Sequence, residues 1–113
     1  MTTSMAPSIN PVLPMRFRAG TARFDHTQDG WQLLEPLGDE RRVSVGRVDF
    51  ANPFASVPML HLGVAGFDIA NGANARLEVC ARSVSEAGFE VELETWLDTR
   101  IWRVSVSWLA IGH

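Results

Sequence analysis

The last third of the chain alternates between apolar and polar residues. From Arg76 to Val84, Leu77, Val79 and Ala81 fall on one side of a two-residue period, with Arg76, Glu78, Cys80 and Arg82 on the other. Phe89, Val91 and Leu93 then alternate with Glu90, Glu92 and Glu94. Trp102, Val104, Val106, Trp108 and Ala110 alternate with Arg103, Ser105 and Ser107. A period of two sends successive side chains to opposite faces, which only an extended strand with one buried face satisfies. Turn formers at Glu86 to Gly88 and a polar loop from Leu97 to Arg100 separate these runs.

The earlier segments follow the same logic less cleanly. Met15 to Phe24 reads as a strand interrupted by Gly20, and Asp25 to Gly30 (DHTQDG) as a loop. Trp31 to Leu34 is a short strand or a cover segment, ended by Pro36 and Gly38. In Arg42 to Phe50 the apolar phase shifts between Val45 and Val48, next to Gly46, which suggests a bulge. Val57 to Ile69 is apolar on both faces, the pattern of a strand covered on both sides. No helix is expected. About seven strands with closely spaced turn signals define an all-β, antiparallel sandwich or barrel.

At 113 residues and 46% apolar composition the chain is one domain with a core that needs no disulfide. The domain is placed at residues 15–113. The first 14 residues, rich in Pro and free of Lys and Arg, read as a flexible arm. No secretory signal is expected in them, so the chain is expected to be cytoplasmic when made, with secretion by a non-classical route as the alternative. A net charge of −3 argues against nucleic-acid binding, and no apolar run is long enough to insert in a membrane. The single Cys80 excludes an internal disulfide and a cysteine zinc cluster.

No base and nucleophile stand together, so no enzyme, no catalytic residue and no cofactor are expected. His26 beside Asp25 and Asp29 is a weak metal signal, and a solvated turn is the better reading. The row Glu90, Glu92 and Glu94 should meet Arg76 and Arg82 on the preceding strand and Arg103 on the following one, as a salt-bridged face or a polar subunit contact. Thr95 to Trp102 places two Trp at the sides of a short polar loop. Binding residues gather on such loops, and flat aromatic rings suit the C–H faces of sugars.

The residues from Arg42 to Gly112 resemble an H-type lectin domain, the family of snail agglutinins and slime-mould discoidins. The likeness rests on Val48 and Phe50 with Pro53 and Phe54, then Pro58, Asp68 and Arg76. It continues through Ser83-Val84-Ser85, Gly88-Phe89, Thr95-Trp96 with Asp98, Thr99 and Ile101, and Val106 to Ile111. It implies a six-stranded antiparallel sandwich that assembles as a homotrimer, with hexamers as a further step. It also implies binding of N-acetylgalactosamine or galactose-type glycans between neighbouring subunits. On that resemblance Asp39, beside Gly38, comes from one chain. Arg76 and the loop of Trp96, Leu97, Asp98 and Trp102 come from its neighbour. Leu97 stands where some members carry His, and Trp102 where Tyr is usual. The alternative is a structural trimeric module that has lost sugar binding.

Overall fold

The computed structural model describes residues 14–113; the expected N-terminal arm, apart from Pro14, lies outside them. Six strands follow in order: β1 (Arg16–Asp25), β2 (Gly38–Asp49), β3 (Met59–Ile69), β4 (Glu78–Arg82), β5 (Gly88–Leu97) and β6 (Ile101–Gly112). They form two three-stranded antiparallel sheets, ordered β1-β6-β3 and β2-β5-β4. No helix occurs among the described residues. The architecture is the expected β-sandwich.

The core lies between the sheets. β5 contributes Phe89, Val91 and Leu93, and β6 contributes Val104, Val106 and Ala110, all buried. Each of these side chains other than the small Ala110 stabilises the fold by about 1.5–3 kcal/mol when fully buried. At one end Phe50 packs edge-on to Phe54 at 5.1 Å and against Phe89 and Trp108 at 5.8 and 5.6 Å between ring centres. Trp108 also lies over Gly20, where an added Cβ would come within 3.0 Å of the indole. Gly20 therefore does not interrupt β1. It makes room for a ring, and the β1–β6 ladder runs through it.

Several expectations are corrected. The β2–β5 register is continuous from Arg42 to Asp49, so there is no bulge at Gly46. The apolar phase shifts there because Phe24 fills the space above Gly46. The inward face of β2 is Arg42, Ser44, Gly46 and Val48, continued by Phe50 just past the strand, and Val45 is exposed. β3 is not covered on both sides: it is an edge strand, with Met59, Val64 and Phe67 exposed. β4 is shorter than the alternating run that contains it, because the residues before Glu78 bend away to dock on the β5–β6 turn. Trp31 to Leu34 is a cover, not a strand: Leu33 is buried, and the Trp31 indole donates to the Ile101 carbonyl at 2.9 Å.

β5 and β6 do not pair with each other; the chain crosses from one sheet to the other between them. Arg103 therefore sits on the opposite sheet from the glutamates, donating to Ser105. The glutamate face is served by Arg82, paired with Glu92 at 3.1 Å, and by Arg41, paired with Glu94 and with Glu78. Glu78 and Glu94 are direct cross-strand neighbours, and the Arg41 guanidinium bridging them offsets a like-charge repulsion. Arg76 does not reach this face.

Candidate functional site

The site lies at the end of the sandwich where β2 begins and the β5–β6 turn crosses between sheets. The β2–β5 ladder pairs Gly38 with Leu97 and Arg42 with Thr95. Three residues of β2 thus face one of β5 between these pairs, and the surplus carries Asp39, Glu40 and Arg41 out of register. Both members of the last pair have positive φ, +147° at Gly38 and 58° at Leu97. Glycine adopts this at no steric cost, whereas leucine is strained there by about 1–2 kcal/mol.

A shallow depression of about 340 Å³ is lined by Gly38, Asp39, Arg76, Leu97 and Asp98. Five of the seven residues expected from the sequence meet there. The resemblance distributes Asp39 and Arg76 over two subunits; here one chain brings them to the same depression. A neighbouring groove of about 470 Å³ runs along Gln32, Pro36 and Leu37 and shares Gly38 and Asp39.

The two tryptophans stand apart from this lining. Trp96 points outward with the glutamates of β5, and the Arg41 guanidinium stacks 4.0 Å above its ring. Trp102 is displaced by a bulge, since β3 pairs Ile69 with Ile101 and Asp68 with Arg103, skipping it. Ile101 takes the core position instead and is fully buried.

Arg76 is fixed from several sides. Its Nη1 donates to Asp98 at 2.8 Å and to the Thr99 hydroxyl at 3.1 Å, and Thr95 donates to its carbonyl at 2.6 Å. Its Nη2 and Nε take no partner among the described residues and remain available as donors. The Asp39 carboxylate is exposed, and no ion pair among the described residues uses it. An ionised carboxylate accepts several hydroxyl protons, and a guanidinium donates a planar fork. Leu97 adds an apolar surface. The set can bind a polyhydroxylated ring.

Arg42 was missed as a site element. It is 4% exposed. It donates to the carbonyls of Gln32 at 3.1 Å, Leu97 at 3.2 Å and Thr99 at 2.7 Å. Burial, with Arg100 nearby, lowers its pKa from the ordinary value. Counting back by twos from the inward Phe50 reaches Arg42, and that parity is the signal that could have found it. The histidines and Cys80 are not part of the site lining. Among the described residues, no group of three His, Cys, Asp or Glu is arranged to hold a metal ion. Asp25 is instead engaged by Thr27 and Arg23.

Comparison with known proteins agrees with this fold. The H-type lectin domain model matches residues 45–111. The protein "ATP synthase subunits region ORF 7" of Fuscovulum blasticum is 38% identical over 90 residues, covering 79% of this chain and 76% of that one. Recombinant and wild-type discoidin II of Dictyostelium discoideum share the fold, each at a TM-score of 0.72 and 22% identity over 90% of this chain. The chain spans 40% of the recombinant discoidin II chain and 39% of the wild-type one. The chain belongs to the H-type lectin domain family, a class of carbohydrate-binding lectin domains.

Proposed function

We propose that the chain binds galactose-type glycans, N-acetylgalactosamine foremost, at the depression of Asp39 and Arg76, as part of a homotrimer. The observation that carries this reading is the meeting in one depression of a carboxylate without an ion pair among the described residues and a guanidinium that keeps free donors, beside the apolar Leu97. Asp39 accepts from two sugar hydroxyls, Arg76 donates through Nη2 and Nε, and the sugar's C–H face rests on Leu97. A neighbouring subunit closes the open side, and its Trp96 or Trp102 is the aromatic wall offered to the ligand.

The outer face of the β1-β6-β3 sheet supports self-association. Phe17, Ile111 and Met59 form one cross-strand row, and Ala19, Leu109 and His61 the next. Phe17 is 61% and Met59 77% exposed. Apolar rows of this kind suit a contact between copies. Three weak sites on one particle raise avidity by orders of magnitude, which suits recognition or adhesion.

A second reading, the structural trimer without sugar binding, is favoured by the pairing of Arg76 with Asp98, which already engages one nitrogen of its fork. A glycan array followed by calorimetry with N-acetylgalactosamine separates the two. Loss of one charged hydrogen-bond acceptor weakens binding by about ten- to a hundredfold, so Asp39→Ala should show that loss. An intact trimer by light scattering that binds no glycan selects the structural module. A monomer at micromolar concentration refutes the trimer of both readings, and the glycan array then decides sugar binding by the single chain.

A further inference from the structure

We infer that Arg42 is a positioning residue for the candidate site: through Thr99 it holds Arg76 where a ligand meets it. This rests on the sugar-binding reading above for its functional consequence, though not for its structural part. Arg42 is not part of the lining of the depression that Asp39 and Arg76 share, although it borders the neighbouring groove that also reaches Asp39, and its guanidinium is turned to three backbone carbonyls. It is a buried cation without an acidic partner among the described residues, surrounded by carbonyls. Its Nε is buried and has no partner among the described residues. An apolar side chain of similar size would avoid the desolvation of that charge, so stability alone is a poor reason for an arginine here.

What the arginine achieves is placement of the β5–β6 turn. One nitrogen, Nη2, donates to the carbonyls of both Leu97 and Thr99, and so brackets the turn on either side of Asp98. Leu97 sits at positive φ, a conformation that needs holding. Nη1 ties the same guanidinium to Gln32 of the cover segment, whose amide donates to the Ser44 hydroxyl. The turn is thereby fixed against β2 and against the cover.

The turn in turn fixes Arg76. The Thr99 hydroxyl donates to the Asn74 carbonyl and accepts from Arg76 Nη1. Asp98, between the two carbonyls that Arg42 holds, accepts from the same Nη1. Thr99 is fully buried, so its hydroxyl has no solvent to turn to. A shift of the Thr99 backbone carries Arg76 with it and changes the direction of its free Nη2 and Nε. Misplacement of a binding group by an ångström is enough to cost a large factor in ligand affinity.

The test uses the full chain. In sugar-free protein, the Arg76 Nε–H resonance, assigned by its loss in Arg76→Lys, reports whether that side chain is held. Calorimetry with N-acetylgalactosamine reports the consequence. Arg42→Met should keep the strand content and assembly, broaden the Arg76 signal, and weaken the sugar tenfold or more. Thr99→Val should do the same, and Thr99→Ser, which keeps the hydroxyl, should restore both readouts. The double variant Arg42→Met/Thr99→Val should be no worse for the sugar than the poorer single one, because the two act along one line. Where Arg42→Met does not fold, Arg42→Lys, which keeps the charge and loses the fork, takes its place. A folded Arg42 variant that melts lower yet keeps the Arg76 signal and the affinity overturns the inference. Wild-type protein that binds no sugar, with an Arg76 signal that still depends on Arg42, defeats the functional proposal and leaves the relay standing.

Discussion

Replacing Gly46 by Ala should destabilise the domain, although alanine suits a strand better than glycine. Gly46 faces inward from β2, and an added Cβ would lie 2.1 Å from Phe24 Cε1 and 2.4 Å from Cδ1. Carbon atoms rest about 3.5 Å or more apart, so the ring must retreat by roughly 1.4 Å. Phe24 is buried, and its retreat displaces other core side chains. Overpacking of this kind costs about 1–3 kcal/mol. Restricting the unfolded chain by Gly→Ala returns about 0.4–1 kcal/mol. The expected net loss is thus about 1–2 kcal/mol, a fall in Tm of about 5–10 °C for a domain of this size. Urea unfolding followed by Trp fluorescence at one fixed protein concentration measures it, since assembly would make the midpoint concentration-dependent. Shrinking the ring by Phe24→Leu should relieve the clash, giving a coupling of about 1 kcal/mol in the double-mutant cycle. A Gly46→Ala protein as stable as the parent, or strict additivity with Phe24→Leu, would refute the reasoning.

Three further outcomes follow from other parts of the molecule. The Thr27 hydroxyl and amide, with Arg23, hold the Asp25 carboxyl at about 2, so the stability it contributes is complete above the ordinary carboxylate range and is lost as pH falls towards 2. Carboxyl NMR titration of Asp25 should show this midpoint, and Thr27→Val should raise it; an unchanged midpoint rejects the assignment. Burial, followed by the nearby Glu92, pushes the Cys80 thiol up, so iodoacetamide should modify it more slowly at pH 8 than it modifies free cysteine, and Glu92→Gln should speed the reaction. If the proposed trimer forms through the outer face of the β1-β6-β3 sheet, Met59→Arg or Leu109→Arg there should shift the mass in light scattering from trimer to monomer, whereas Val45→Arg on the other sheet should not; equal masses in all three would remove that face as the contact.

The strands were legible where the two-residue period and burial agree. In β5 and β6 every inward position from Phe89 to Leu93 and from Val104 to Ala110 is small or apolar, so the pattern alone sufficed. β2 misled because its inward face carries Arg42, Ser44 and Gly46, and its valines at 43 and 45 face outward. There the period was present but the usual apolar marker was on the wrong side. Arg103 was matched to the glutamates because consecutive strands commonly pair, and nothing local in Leu97 to Arg100 says that the chain changes sheet. The depression was largely legible through Gly38, Asp39, Arg76, Leu97 and Asp98. Trp96 shares its parity with Glu90, Glu92 and Glu94, and that alone would have turned it outward. Trp102 could not be placed by parity, because the bulge that displaces it depends on its pairing with β3.

The crossing between β5 and β6 has a thermodynamic consequence. Each of these is the middle strand of its sheet. A turn joining two middle strands is tied to both ladders, so its stability is coupled to theirs and the candidate site shares in the cooperativity of the domain. Amide exchange at Ile101, whose N–H is held by the Leu33 carbonyl, should then report the opening of the whole domain. Ligand bound at the turn stabilises that entire unit, by about 2.7 kcal/mol at a hundredfold excess over Kd. Under the proposed function, the melting temperature of the domain would therefore itself report glycan binding.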